Sequence, residues 1–395
     1  MLIKSLLPSL TSSPTTTQAF GAAGQAMAEL FTAGCIGSTC VKKDYLNANI
    51  VQSLSKTCFS ILLPMFLSTS IMTTVEKYGL TKSSLAIPLV AITHCMTLYM
   101  ISRHVLLPIF GIDDESVEGR ATNVCCAFGN SGVVPMIFAE ALFRNAGGDV
   151  LQKAYSQVSL YLIGWSPVFW SFGRNALLGG LVNKSSSDYK EQQLTLMERL
   201  ESLKSLFPPP VLGVFFGLVL SSIPFLRCLV MDCSPEGAKK KAPLGVLFNS
   251  CQNLGRAANP LALLVLTSSL ALGNSNSKLA AMDDQHHEEI PLIRRWTCVS
   301  IARFAVSPIL MISLLKLVHG FGIIGSTTSD PMLWFILILQ ASMPPAQNSV
   351  IMLQVAEKTK EASSLARFLF VMYATAMIPV VIVATILLEK CNLTV

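Results

Sequence analysis

Hydrophobic residues run along this chain in long blocks, each near the roughly 20 residues that a helix needs to cross a bilayer. Short polar stretches separate them. The pattern predicts spans at Gln18–Val41, Asn47–Val75, Ser83–Leu107, Ala121–Ala141 and Ala154–Leu181. It then restarts, with Pro208–Leu229, Leu244–Leu272, Trp296–Val318, Trp334–Val355 and Leu365–Leu388. Between the two sets lies the longest hydrophilic stretch, residues 182–207. It reads either as a solvated linker or, from Leu and Met at helical spacing, as a surface helix. Five spans, a loop and five spans predict an all-α polytopic membrane protein. Residues 1–181 and 208–395 form its halves, and the odd number of spans per half makes the second an inverted repeat of the first.

Two apolar runs contain residues that a continuous helix tolerates poorly. In ATNVCCAFGNSGVVPMIFAEA, residues 121–141, the interior holds Gly129, Asn130, Ser131, Gly132 and Pro135. In WFILILQASMPPAQNSVIMLQV, residues 334–355, it holds Pro344 and Pro345 with Gln340, Gln347 and Asn348 around them. Proline lacks the amide donor and crowds the carbonyl four residues back, and glycine is entropically costly in a helix. In lipid, freed backbone groups find no water, so such breaks belong inside protein or beside a polar cavity. Each break is fourth in its half. Two broken helices crossing near the midplane would bring two helix N-termini together, and their partial positive charge attracts a carboxylate without any Lys or Arg. Asn130 and Asn348 stand beside the breaks, where each either contacts substrate or caps its own half-helix.

The composition agrees. The chain is 52% hydrophobic and 13% charged, where soluble domains carry about a quarter charged residues. A net charge of +6 spread over loops is topology signal, not a nucleic-acid footprint. Lys and Arg favour the loops after odd-numbered spans, which puts the central loop in the cytosol; Lys239, Lys240 and Lys241 weigh the other way. The eleven cysteines form no CxxC pair and read as helix-packing thiols. The cluster DDQHHEE, residues 283–289, lacks the ligand spacing of a closed metal site, so neither a metal nor any other cofactor is expected. No span carries paired carboxylates or a nucleophile with its base, which argues against an enzyme with catalytic residues. Glu29, His94, Glu140, Arg256 and Arg303 are ionisable groups in or near spans, where such groups are functional candidates by default. Arg256 lies mid-span and could attract an anion or pair with Glu29 or Glu140. Arg303 reads more readily as an ion-pair member or a snorkelling end residue.

The break segments carry a resemblance. Gly129-Asn130-Ser131-Gly132-Val133-Val134-Pro135 and the run from Leu339-Gln340 through Pro344-Pro345-Ala346 to Asn348 resemble the auxin efflux carrier superfamily, and within it the PIN-LIKES branch of plants and algae. Ala154-Tyr155 with Trp170, and Leu254-Gly255 with Pro260, echo the same branch. The branch often has a second Asn after Gly132, where this chain has Val133. The short central loop is similar to the branch that resides in the endoplasmic reticulum, with the plasma membrane as the alternative. The resemblance implies transport of indole-3-acetate, or a related small amphipathic carboxylic acid, by alternating access around the crossed helices. The implied substrate site comprises Asn130, Ser131, Val133, Pro135, Gln340, Met343, Pro344, Pro345 and Asn348. Arg256, Glu140 and His94 are candidates for a charge or coupling role. The implied partners are the organic anion and the bilayer, and a homodimer is compatible with the reading. The alternatives are a dicarboxylate transporter of the same fold and a non-transporting membrane receptor for an organic acid.

Overall fold

The computed structural model describes residues 35–79, 81–143, 148–179, 208–232, 242–280 and 290–393, with positions 21, 24, 25, 28, 32 and 146. The expected linker 182–207, Glu29 and the cluster at 283–289 lie outside the described residues. Among those described the chain is all helical, with one isolated two-residue bridge and no longer strand. Residues 35–42 are helical. Helix α1 is Ala48–Tyr78 and α2 is Lys82–Ile109. The first broken segment is α3, Val117–Ala127, and α4, Val133–Phe143. Helix α5 begins as Gly148–Pro167 and continues through Val168–Gly173 to Leu178. Next come α6, Pro209–Ser222, α7, Pro224–Val230, α8, Gly245–Arg256, and α9, Ala258–Ala280. Helix α10 is Leu292–Gly320. The second broken segment is α11, Pro331–Ala341, and α12, Asn348–Val355, and α13 is Thr359–Lys390.

Four of these helices, α1, α2, α10 and α13, are long and apolar enough to cross a bilayer, and the bent pair α6–α7 makes up to five. All four of the long ones contain a proline and remain continuous, and three of them do so with a widened turn. The turn just before Pro64, Pro108 and Pro308 widens into a π turn, at Cys58–Leu62, Ser102–Leu106 and Ala302–Val306. There Leu63, Leu107 and Ser307 donate five residues back, to Cys58, Ser102 and Ala302. The wider turn moves aside the carbonyl that the proline ring would otherwise meet.

The predicted span Gln18–Val41 lies in part outside the described residues, and among those described two other predicted spans differ. Pro208–Leu229 was expected as one span, yet α6 and α7 are bent 106° from one another. The residue before a proline is driven toward extended backbone, and Ile223, ahead of Pro224, takes φ −96° and ψ 110°. Leu244–Leu272 is interrupted at Ala257, and its second part runs on to Ala280.

Packing against α1 is close because its partners present glycine. A Cβ at Gly213 or Gly217 of α6 would come within 2.5 Å of Pro64 Cα or 2.7 Å of the Ser68 carbonyl oxygen. Without a hydrophobic drive between helices in lipid, such small-residue contacts let backbones approach. The innermost element is α11, in which every residue from Met332 to Ala341 is buried. An 11-residue helix rises only about 16 Å, too short to cross alone, and a helix apolar all round belongs inside a bundle.

Candidate functional site: the crossing of the broken helices

Both segments break where the sequence predicts, and the breaks meet. Gly129 and Pro345 form an antiparallel bridge. The Asn130 amide donates to the Pro344 carbonyl at 2.7 Å, and the Ala346 amide donates to the Phe128 carbonyl at 2.9 Å. Pro344 and Pro345 have no N–H, so the crossing takes its donors from Asn130 and Ala346 and uses the prolines only as acceptors. Gly129 is required by space: a Cβ there would overlap the Arg303 guanidinium.

Side chains from three elements hold the crossing. From α13, Tyr373 accepts from Asn130 Nδ2 at 2.8 Å and donates to the Pro345 carbonyl at 2.9 Å. Asn130 Oδ1 also lies 3.5 Å from the amide of Val134, capping α4. From α11, Gln340 Nε2 donates to the Ser131 carbonyl at 2.9 Å. From α10, Arg303 donates to the carbonyls of Met343 at 2.9 Å, Ala341 at 3.0 Å, Gln340 at 3.4 Å and Cys126 at 3.5 Å. Arg303 is 1% exposed. The expectation of an ion pair or a snorkelling end is corrected here. This cation sits at the C-terminal ends of α3 and α11, where helix dipoles are negative and carbonyls lack helical partners. Ser307 adds a 2.6 Å bond to the Ala341 carbonyl.

The opposite ends, the starts of α4 and α12, border a cavity of about 30 Å³. That is room for one or two waters. Asn130, Ser131, Gly132, Ala346, Gln347 and Asn348 supply the backbone side, and Phe66, Leu67, Leu162, Trp165 and Trp170 supply an apolar and aromatic wall. Five buried polar atoms here have no hydrogen-bond partner: Trp165 Nε1, Ser166 Oγ, Gln347 Oε1 and Nε2, and Asn348 Oδ1. Buried polar atoms are satisfied in about nine cases of ten, so such a concentration marks a place built for polar company.

Of the residues expected at a substrate site, Asn130, Ser131 and Asn348 border this cavity. Gln340, Met343, Pro344 and Pro345 build the crossing through their hydrogen bonds and main chain. Pro135 is buried within α4, and the Val133 side chain lies outside the described residues. His94 is buried between Tyr161 Oη, at 3.2 Å, and Ser307, whose Oγ is at 3.1 Å. Glu140 accepts from Tyr155 Oη at 3.5 Å. Arg256 ends α8 and borders a different cavity. Tyr373, Trp165, Ser166 and Phe66 were not singled out from sequence. Tyr373 stands alone among apolar residues of α13, with no local pattern to mark it. Among the described residues no group of three or more His, Cys, Asp or Glu could hold a metal. One cysteine departs from expectation: Cys228 of α7 is disulfide-bonded.

Comparison with known proteins agrees with this architecture. Residues 23–384 match the membrane transport protein family. Protein PIN-LIKES 3 of Arabidopsis thaliana is 25% identical over 263 residues, covering 57% of this chain and 61% of that protein. PIN-LIKES 7 is 27% identical over 162 residues, 41% of this chain and 35% of that protein. PIN-LIKES 2 is 28% identical over 144 residues, 36% of this chain and 27% of that protein. The chain thus spans less than two thirds of the length of these curated relatives. With a family match over most of its length and two apolar helices broken and crossed at its centre, the chain belongs to the membrane transport protein family of the auxin efflux carriers, whose members are transporters and not enzymes.

Proposed function

We propose that this protein carries a small amphipathic carboxylic acid, of the kind of indole-3-acetate, by alternating access around the crossed helices. The observation that carries the reading is the cavity at the starts of α4 and α12, whose lining residues include five unpartnered polar atoms and an aromatic wall. Helix N-termini and side-chain amides suit a carboxylate, and Phe66, Trp165 and Trp170 suit a ring. No Lys or Arg borders this cavity, which favours one carboxylate over two. Sites for such ligands measure about 300–1,000 Å³. The 30 Å³ cavity therefore belongs to a conformation in which α1 and α5 close on the crossing, and the acid is admitted when they part.

In this reading residues 1–181 and 208–395 are the inverted repeats, the loop between them is cytosolic, and the membrane is that of the endoplasmic reticulum. The disulfide at Cys228 supports the orientation. Such bonds persist in oxidising compartments, and the loop after α7 falls on the non-cytosolic side.

The test is uptake of labelled indole-3-acetate into proteoliposomes holding the purified chain. Saturable uptake is expected, together with its loss when Gln347 and Asn348 are both replaced by Ala. Saturable binding without uptake would make the protein a receptor. Uptake of malate in preference to indole-3-acetate would make it a dicarboxylate carrier.

A further inference from the structure

A second cavity, of about 260 Å³, lies against the first and shares the Phe66 side chain with it. Its floor is a face of α1 that reaches from Phe66 to Tyr78 at the helix end. At 1.5 Å per residue that stretch rises about 18 Å, somewhat more than half of a ~30 Å hydrocarbon core. The cavity therefore runs from the membrane face where α1 ends down to the level of the crossing.

Most of its lining residues are polar, and several of their donors are engaged. Thr69 and Thr73 donate to α1's own carbonyls, of Met65 at 2.8 Å and Thr69 at 2.9 Å. Ser70 and Ser159 share a 2.8 Å bond. Lys77, at the mouth, lies 3.7 Å from Asp149, and both are well exposed. Tyr155 is directed to Glu140.

Arg256 differs. It makes no hydrogen bond or ion pair with another described residue. It follows Gly255, whose added Cβ would come within 2.7 Å of the Phe66 amide nitrogen, so its backbone lies at the deep end. Its side chain is exposed, so the guanidinium is open to water or an anion, and it offers five donors.

We infer that this cavity is an antechamber, in which Arg256 binds the carboxylate of the transported acid before Phe66 turns aside and admits it to the crossing. The inference rests on the transport reading above but concerns a different set of residues. It assigns Arg256 a substrate contact outside the crossing and Phe66 the partition between two stations.

Two measurements test it. The first is the initial rate of indole-3-acetate uptake against concentration, in proteoliposomes, for the native chain, Arg256→Gln and Arg256→Lys. Loss of one exposed ionic contact predicts about a tenfold rise in KM for Arg256→Gln with kcat little changed, and substantial recovery in Arg256→Lys. Salt should raise KM of the native chain and leave Arg256→Gln insensitive, because screening acts on the charge that has been removed. A native KM and native salt dependence in Arg256→Gln would overturn the antechamber and leave the crossing site standing. Absence of uptake by the native chain would overturn the transport reading instead. The second measurement needs no substrate and leaves Arg256 in place. In Ser70→Cys, an anionic methanethiosulfonate reagent should label the cavity several-fold faster, relative to free thiol, than a cationic one. Equal rates, or the reverse order, would show that the cavity does not attract anions.

Discussion

Asn130 and Asn348 stand beside the two breaks, yet their side chains are engaged differently. Asn130 donates to Tyr373 and caps α4, while Asn348 Oδ1 has no partner. Replacing Asn348 by Ala should therefore leave stability within about 0.5 kcal/mol of native. The same change should weaken uptake by about tenfold or more, since a hydrogen bond to a charged ligand contributes about 1.5–3 kcal/mol. Asn130→Ala should instead lower stability by about 1–3 kcal/mol, by leaving Tyr373 and the Val134 amide short of partners. Tyr373→Phe removes the same bond from the other side, so the double variant should lose less than the sum of the singles, as read by thermal unfolding in detergent. Arg303 is the most demanding position. Arg303→Met leaves carbonyls at the ends of α3 and α11 without a donor, and a loss of about 3–5 kcal/mol is expected, seen as aggregation on size exclusion. The requirement for glycine at 129 has the same origin, because the guanidinium occupies the space of a Cβ.

At the scale of elements, three long helices keep Pro64, Pro108 and Pro308 by widening one turn, while the chain gives way after α6 at Ile223 and the broken segments give way altogether. The difference lies in what surrounds each proline. At 64, 108 and 308 a single missing amide is absorbed by a bond five residues back. At 344 and 345 two amides are missing in succession, and the carbonyls upstream are claimed by Arg303. Close packing of α6 on α1 depends on Gly213 and Gly217. Gly217→Val forces the backbones apart and should cost about 1–3 kcal/mol in thermal unfolding, with Gly217→Ala milder. The two breaks were legible because Gly, Asn and Pro stand out in an otherwise apolar run. The bend at Ile223 and the interruption at Ala257 were not, since neither proline downstream differs in its local sequence from those the helices absorb.

For the whole molecule, the proposed transport requires α1 and α5 to move against the crossing. Phe66 and Asn348 both line one cavity. A disulfide between Phe66→Cys and Asn348→Cys, formed by mild oxidation, should hold the closed form and abolish the slow uptake that remains in the reduced double variant. Reductant should restore that uptake. Uptake that continues with the bond formed would mean that this pair of surfaces does not separate during transport.

The residues alone determined that the chain is helical and membrane-spanning, that its helices break at Gly129–Pro135 and at Pro344–Pro345, and that Asn130 and Asn348 flank the breaks. These follow from properties that act over a few neighbours: apolar block length, a missing amide, the entropy of glycine. Only the tertiary structure decided which groups complete those breaks. Arg303 reaches carbonyls near residues 126 and 341, and Tyr373 joins Asn130 to Pro345, across separations that no local pattern encodes. A hydrogen bond within a helix turn is set by spacing along the chain. One that closes a broken helix depends on which distant side chain the packing of the bundle brings within 3 Å or so.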